Sequence, residues 1–584
     1  MTKISGAFVD RARRSVVFGG AAAAGLGAAG CCSVPPTPQI PGACGVRPTP
    51  FLAGPEVVAA WAKPQRYFDA HTHFFNAQDV PVAGFMSKSV AHSIPSKRVR
   101  ELIIALAPIA EWLGKSALTP KAEFDLLCRG PELQTKSLSQ QSGDLDTEID
   151  RQRDAAAGEL YREILKRGDE IPRLFNEANG NAKSRNPAFM RSQATTFSED
   201  LVRDALRDGG SSRDASTNKA VATRAGQMSA QEAEAMSMRG VLQFVGSMLA
   251  PRHHNARTFI RRFAESSPGI PLSGCFTAMV DFNYWLDCPA KASHMEDQVR
   301  LHSQLSLLSR GFILPLVPYN PWVDIKEADA SLKLVEKAVG QFGCVGVKIY
   351  PPMGFYPYNN KELKLVSSEP RPDLDLLDKK LAALYELCDS LGVPVMAHGN
   401  DSAGRDAAHD ELASAVGWTA LRDKGPALRQ LYVNAGHFGG APKHPSGDWT
   451  DGFVELMKSE GRLRVYGDLG YWDELAEGRQ DIKDKIARVL ATKLPNGGTV
   501  ADRVMYGSDW LMLSQEPGWQ SYGEGIAAVI RGLDGTGALA TKVLGGNALR
   551  CYGLTKDDGR GRLDKLVKFH NEHGAGGAPG WVQA

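Results

Sequence analysis

The sequence predicts an α/β protein, a (β/α)8 TIM barrel with a large helical insertion after its first strand. Three observations carry that expectation. Eight short, apolar, β-branched runs recur along the chain, helix-length amphipathic segments separate most of the later ones, and the rhythm breaks between about residues 85 and 265. The runs are Arg66–Phe75, Cys275–Val280, Phe312–Val317, Cys344–Tyr350, Val393–His398, Leu431–Ala435, Leu463–Tyr466 and Arg503–Tyr506, with segments such as Ala328–Phe342 and Asp373–Leu391 between them. Strands alternating with helices imply a parallel sheet, and eight such units fit a closed barrel. A doubly wound open sheet is the alternative, but its usual Gly-rich phosphate turn is missing after the first strand.

Within the break, helical periodicity is expected at Arg98–Leu113, Asp146–Lys166 and Glu199–Leu206, with Ser/Gln/Asn/Gly-rich loops between. A further amphipathic helix runs through RGVLQFVGSMLAPRHHNARTFIRRFAE, broken at Pro251. The barrel then occupies 61–84 and 266–556, the insertion 85–265, and a tail 557–584. An insertion that leaves the first strand at its C-terminal end emerges on the face where barrel enzymes keep their sites. It is therefore expected to cap the pocket as a lid.

Length and composition bound the remainder. The chain has 584 residues, 43% of them hydrophobic and 23% charged, which excludes wholesale disorder and fibrous folds. With 68 basic against 66 acidic residues there is no concentrated positive face for nucleic acid. The nine cysteines include no CxxC pair, so neither a zinc ribbon nor a disulfide framework is expected.

The first thirty residues read as an address. Arg13-Arg14 precede an Ala/Gly-rich apolar stretch, Ala21–Gly30, too short to span a bilayer. The segment 1–31 resembles a twin-arginine signal peptide. Ala28-Ala29-Gly30-Cys31 resembles a lipobox, with Ala28 standing where Leu is usual, and implies lipidation at Cys31 and a membrane tether. Residues 32–60 read as a Pro-rich tether. The expectation is a bacterial protein that is periplasmic or anchored on the outer face. Left unprocessed, the same segment would be the basic N-terminus of a cytoplasmic protein.

The chemistry lies at strand ends. His71 and His73 are two apart on a strand, so their side chains leave one face and can reach one ion. Asp69 is expected to orient one of the two imidazoles. VPVMAH ends in His398, LYVNAGH in His437 and RVMYGSD in Asp509. Ionisable groups at the ends of apolar strands, in chain order, fit a divalent-metal site of His nitrogens and a carboxylate. Hydrogen-bonded core histidines are the bland alternative for any one of them, and a weak one for all five together.

The motifs FDAHTHF, MAHG, NAGH, YGSDW and LGGNALRCYGL resemble those of the amidohydrolase superfamily, and most closely amidohydrolase family 2, with its aminocarboxymuconate-semialdehyde decarboxylase-like members. The resemblance covers residues 66–76 and about 274–554. It implies one divalent ion, usually Zn2+, held by His71, His73, His398 and Asp509. It also implies Asp509 as general acid–base and His437 beside the activated water, with Asn547 as a structural residue of the closing helix. The implied activity is hydrolysis of a C–N or C–O bond, amide or lactone-like, in a small organic substrate. Non-oxidative decarboxylation on the same site is the enzymatic rival, and a catalytically inactive, lipid-tethered scaffold the rival of another class. Whether the protein forms a homo-oligomer stays open.

Alternation in CVGVKIY sends Lys348 into the barrel, where a cation needs a counter-charge or a function. A strand-four Lys bridges two metals in binuclear relatives. Substrate binding or structural pairing is preferred here. Asp281, Trp285, Tyr319, Trp322 and the GFYPYNN segment are weaker pocket candidates, balanced against loop packing. His253-His254 with Arg257, Arg261 and Arg262 could meet an anionic substrate, but are read in preference as a basic solvated helix face.

Overall fold

The computed structural model describes residues 52, 54–91, 97–115, 117–128, 151, 154–155, 157–166, 199–200, 202–203, 244–267, 269–285, 294–363, 374–401, 404–441, 447–459, 461–495, 497–516, 519–574 and 577–583. The leader, Cys31 and residues 32–51 lie outside the described residues.

Eight parallel strands run in sequential order: β1 (Tyr67–Thr72), β2 (Leu272–Ala278), β3 (Ile313–Pro318), β4 (Gly346–Ile349), β5 (Val395–His398), β6 (Leu431–Gly436), β7 (Leu463–Asp468) and β8 (Val504–Met505). They are the Val/Leu/Ile-rich runs, and apart from Tyr432 and Arg464 every strand residue is buried, as parallel strands covered on both faces require. β8 meets β1 through Ala70 N–H to Tyr506 O at 2.9 Å, a bridge between Thr72 and Trp510, and Asp509 N–H to His71 O at 2.7 Å. That seam closes the barrel and disposes of the open-sheet alternative. Inside, the Phe276 ring stacks on Tyr552 with centroids 4.0 Å apart. Asn547, in the closing helix Asn547–Cys551, is structural as expected: its amide donates to Ala501 O at 2.8 Å and Val504 O at 2.6 Å and so clamps β8.

Both ends of the described chain pack under the N-terminal face. Residues 55–60 belong to no extended tether. Pro55–Trp61 is a helix that buries Val57, Ala60 and Trp61, and the Trp61 indole donates to Ser273 O at 2.9 Å. The tail, 557–584, also packs against the barrel. Arg562–His573 is a helix burying Leu566 and Phe569, and Trp581 donates to Gly311 O at 2.8 Å while its ring stands edge-on to Phe68. Gly580 is required at this closure, because a Cβ there would stand 2.2 Å from the Trp61 ring.

The described insertion is helical, as expected: Phe85–Val90, Lys97–Gly114, Pro120–Cys128, the stretch 157–166, and Arg252–Ser266 beginning directly after Pro251. Two further corrections fall here. Cys128 is disulfide-bonded, whereas Cys275, Cys344, Cys388 and Cys551 are buried free thiols. The segment around His253 is no solvated basic face at its start. Arg252 is fully buried, with its guanidinium on Asp79 at 2.6 and 2.7 Å and on Glu123 at 2.9 Å. Glu123 also receives the His253 N–H and ring Nδ1, each at 2.8 Å. The error arose because the partners lie 129 and 173 residues away in sequence, beyond any local pattern.

This network joins the loop after β1 to two insertion helices, and its stability contribution has a definite pH dependence. Burial alone would raise the Glu123 pKa, but His253 and the Arg252 guanidinium outweigh burial and hold it at about 2, against 4.5 for an ordinary glutamate. A depressed carboxylate stabilises above its unfolded pKa and loses that contribution as pH falls through the folded one, here from about pH 5 toward 2, amounting to about 3 kcal/mol. Thermal unfolding should show Glu123→Gln melting below wild type at pH 7, with the two curves converging toward pH 2. A constant gap across that range would contradict the assignment.

Candidate active site

The five groups singled out at strand ends meet at the C-terminal mouth of the barrel. Nε2 of His71 lies 3.2 Å from His73 Nε2 and 3.4 Å from Asp509 Oδ1, and His73 Nε2 is 3.2 Å from the same oxygen. His437 Nε2 lies 3.1 Å from His398 Nδ1, and the rings of His71 and His437 approach to 4.6 Å. His71, His437 and Asp509 each offer a donor atom, the three within 4.8 Å of one another. His437 therefore stands as close to the convergence point as the ligands that the resemblance implies.

The imidazoles are aimed by what holds their far nitrogens. His73 Nδ1 donates to Ala278 O at 2.7 Å and His437 Nδ1 to Gly470 O at 2.9 Å, while His71 Nδ1 lies 2.9 Å from Asp468 Oδ1. With Nδ1 committed as a donor, each ring turns an unprotonated Nε2 inward. Three such nitrogens converging with a carboxylate are a donor set suited to a divalent ion. Burial, and then the charge of Lys348, keep the His71 pKa well below the ordinary range. Burial pushes the Asp509 carboxyl upward, but the surrounding imidazoles outweigh it and hold the pKa at about 2.

Backbone conformation agrees. His437, Phe438 and Asp509 have φ of 64°, 45° and 58°, left-handed values that non-glycine residues adopt at a cost of about 1–3 kcal/mol each. Such strain persists where the surroundings impose it, commonly at functional sites.

Asp69 does not orient an imidazole, contrary to expectation. Its Oδ1 accepts the N–H groups of His71 and Ser508, each at 3.0 Å, and burial pushes its pKa up to about 8. The orienting carboxylate is Asp468, which sequence reasoning missed because the seventh run was ended at Tyr466. One extra signal was present, since Asp468 closes an apolar strand as Asp509 does.

Lys348 points into the barrel as expected. It is 1% exposed, and its ammonium has no hydrogen-bond partner among the described residues. Burial lowers its pKa to about 8, opposed by Asp468 and Asp509. Beside it, Tyr350 lies 5.0 Å from the His398 ring and meets Trp285 and Phe282, each at 5.8 Å. Phe85 of the insertion completes this wall 6.2 Å from Trp285. Of the weaker candidates, only Trp285 joins it. Asp281 caps its own loop through Asn283 N–H, and Tyr319 donates to Lys380 O. Asn320, which precedes Trp322 by two, caps the short helix there, and the GFYPYNN loop is held by Asn360 and Asp378.

A closed parallel barrel with histidines and a carboxylate gathered at its C-terminal mouth defines the metal-site class of barrel enzymes. Residues 317–554 match the family model described as Amidohydrolase, which supports the resemblance to the amidohydrolase superfamily, family 2. The match takes in His398, His437 and Asp509, whereas β1 with His71 and His73 and the insertion lie outside it. No curated protein matches the chain.

A buried cation without a hydrogen-bond partner costs stability. A lysine depressed from 10.5 to about 8 represents a folding cost of about 3 kcal/mol near pH 7. Lys348→Met should therefore raise the melting temperature of the ligand-free protein. A clear drop would assign Lys348 a structural partner instead.

Proposed function

We propose that the protein is a metal-dependent hydrolase acting on a C–N or C–O bond, amide or lactone-like, of a small organic substrate. The observation that carries this reading is the convergence of His71, His437 and Asp509, with His73 and His398 beside them, and the hydrogen bonds that already aim His71, His73 and His437. His71, His73, His398 and Asp509 would hold one divalent ion, most simply Zn2+. Such an ion lowers the pKa of its water ligand from about 15.7 to about 7, making a nucleophile available at neutral pH.

The chain's own groups divide the remaining work. Asp509 accepts a proton on a carboxylate oxygen and returns it to the leaving nitrogen or oxygen. His437, with Nδ1 committed to Gly470 O, presents Nε2 to the water or the substrate oxygen. Lys348 meets a negatively charged or polarised substrate oxygen from the barrel floor. Carbon–carbon lyase chemistry is the second reading, favoured by the same lysine, because a decarboxylase needs a cation for its substrate carboxylate.

Metal analysis and turnover test this. The purified protein should carry one equivalent of divalent metal, His71→Ala should bind it measurably but more weakly, and His71→Ala and Asp509→Asn should both fall below detectable turnover of any substrate found. Full activity in either variant would sink the mechanism, and release of CO2 would select the lyase reading. A wild-type protein without stoichiometric metal would favour a binding or scaffold role.

We further propose export to the periplasm or the outer face, with lipidation at Cys31. The leader composition supports it, as does the disulfide at Cys128, since such bonds persist in oxidising compartments. Residues 1–35 fused to a reporter should be exported, and export should stop when Arg13 and Arg14 are both changed to Lys. Unchanged export would contradict the twin-arginine assignment.

A further inference from the structure

We infer that Asp468 is a positioning residue, a single carboxylate that fixes the tautomer and aim of His71 and at the same time seats His437. The inference rests on the metal-dependent reading above and deepens it, since neither the motifs that carry the resemblance nor the metal ligand set includes a residue of β7.

Asp468 ends β7 and is fully buried. Its Oδ1 takes three groups: His71 Nδ1 at 2.9 Å, the His437 backbone N–H at 3.0 Å and the Gly470 N–H at 3.0 Å. Its Oδ2 accepts the Asn434 amide at 2.9 Å. Gly470 closes the circuit, because its carbonyl accepts from His437 Nδ1. Two imidazoles from opposite sides of the mouth are thus referred to one carboxylate. The glycines around it fit that role. A Cβ on Gly470 would stand 2.8 Å from His71 Nδ1 and 2.9 Å from Asp468 Oδ1, and one on Gly507 would stand 2.9 Å from His71 Cβ. Ring and carboxylate approach closely because neither position carries a side chain.

A loop-capping carboxylate would need only the two backbone N–H groups. The His71 bond adds a specific consequence. It places the proton on Nδ1, leaves Nε2 as a lone-pair donor and raises the basicity of that donor, an effect worth about 10–100-fold in metal affinity. Asp468→Asn is nearly isosteric and can keep an acceptor toward His71. The Asn434 carbonyl oxygen, which has no partner among the described residues, can turn to receive the new amide. The variant therefore removes charge with little change in packing.

The test is a thermodynamic cycle on Zn2+ affinity, measured by chelator competition with the full chain, for wild type, Asp468→Asn, His71→Ala and the double variant. Visible spectra of the Co2+-loaded proteins and circular dichroism accompany it. Asp468→Asn should bind Zn2+ about 10–100-fold more weakly and shift the Co2+ spectrum, with its fold intact. In the His71→Ala background it should cost no more than about twofold further. Asp468→Ala should be weaker still, and the Asn variant keeps the test open should the Ala variant not fold. Wild-type affinity in Asp468→Asn, or the same loss with and without His71, would overturn the inference while leaving the metal reading standing. A wild type that binds no metal would remove both.

Discussion

The seam between β8 and β1 is the constraint on which the fold and the site both depend. β8 has only two residues of formal strand, and the chain leaves it through Gly507, Ser508 and Asp509. Those residues make the closing bonds: Ser508 N–H to Asp69 Oδ1, and Asp509 N–H to His71 O. The same bonds that remove the last open sheet edge therefore set the Asp509 carboxylate against the His71 and His73 nitrogens. Asn547 fixes the outer side of β8 through two carbonyls. Barrel closure and assembly of the donor set are one event, and the left-handed Asp509 is the local cost of achieving both.

Two buried lysines differ in how the fold meets their charge. The Lys485 ammonium lies 2.9 Å from Asp448 and donates to Gly440 O and Ala441 O at 3.0 Å each, so its desolvation is offset within the fold. Lys348 is more deeply buried and has no hydrogen-bond partner among the described residues. The Arg252 network follows the Lys485 pattern, with both of its carboxylates engaged. Lys348 thus differs from Lys485 and Arg252 in being buried without such a partner.

What was legible in the sequence follows from what is local. Strand ends bearing His71, His73, His398, His437 and Asp509 stand out because apolar runs rarely finish in ionisable groups, and alternation alone aimed Lys348 inward. The insertion's helices were legible from periodicity, and Pro251 from its fixed φ. Asp468 was lost through a strand end placed two residues early. Asp69 was misassigned because its distance from His71 along the chain says nothing of which oxygen faces which nitrogen. The Arg252 network and the packing of Trp61 and Trp581 under the barrel were not legible, because each depends on partners that only the folded chain brings together.

The insertion occupies a consequential place. It leaves the chain at the end of the loop that follows His71 and His73 and returns through Arg252–Ser266, so it is tied at both ends to the site's surroundings. At its start it supplies Phe85 to the wall that runs through Trp285 and Tyr350 to His398. At its end, Phe259 and Phe263 pack on Trp510, the residue after Asp509. Between them the Arg252 network locks the loop after β1 to two insertion helices. A segment so connected to both the histidine side and the Asp509 side cannot shift without moving one of them. Its packing therefore bears on the surroundings of the site, although it lies outside the residues that the family match includes.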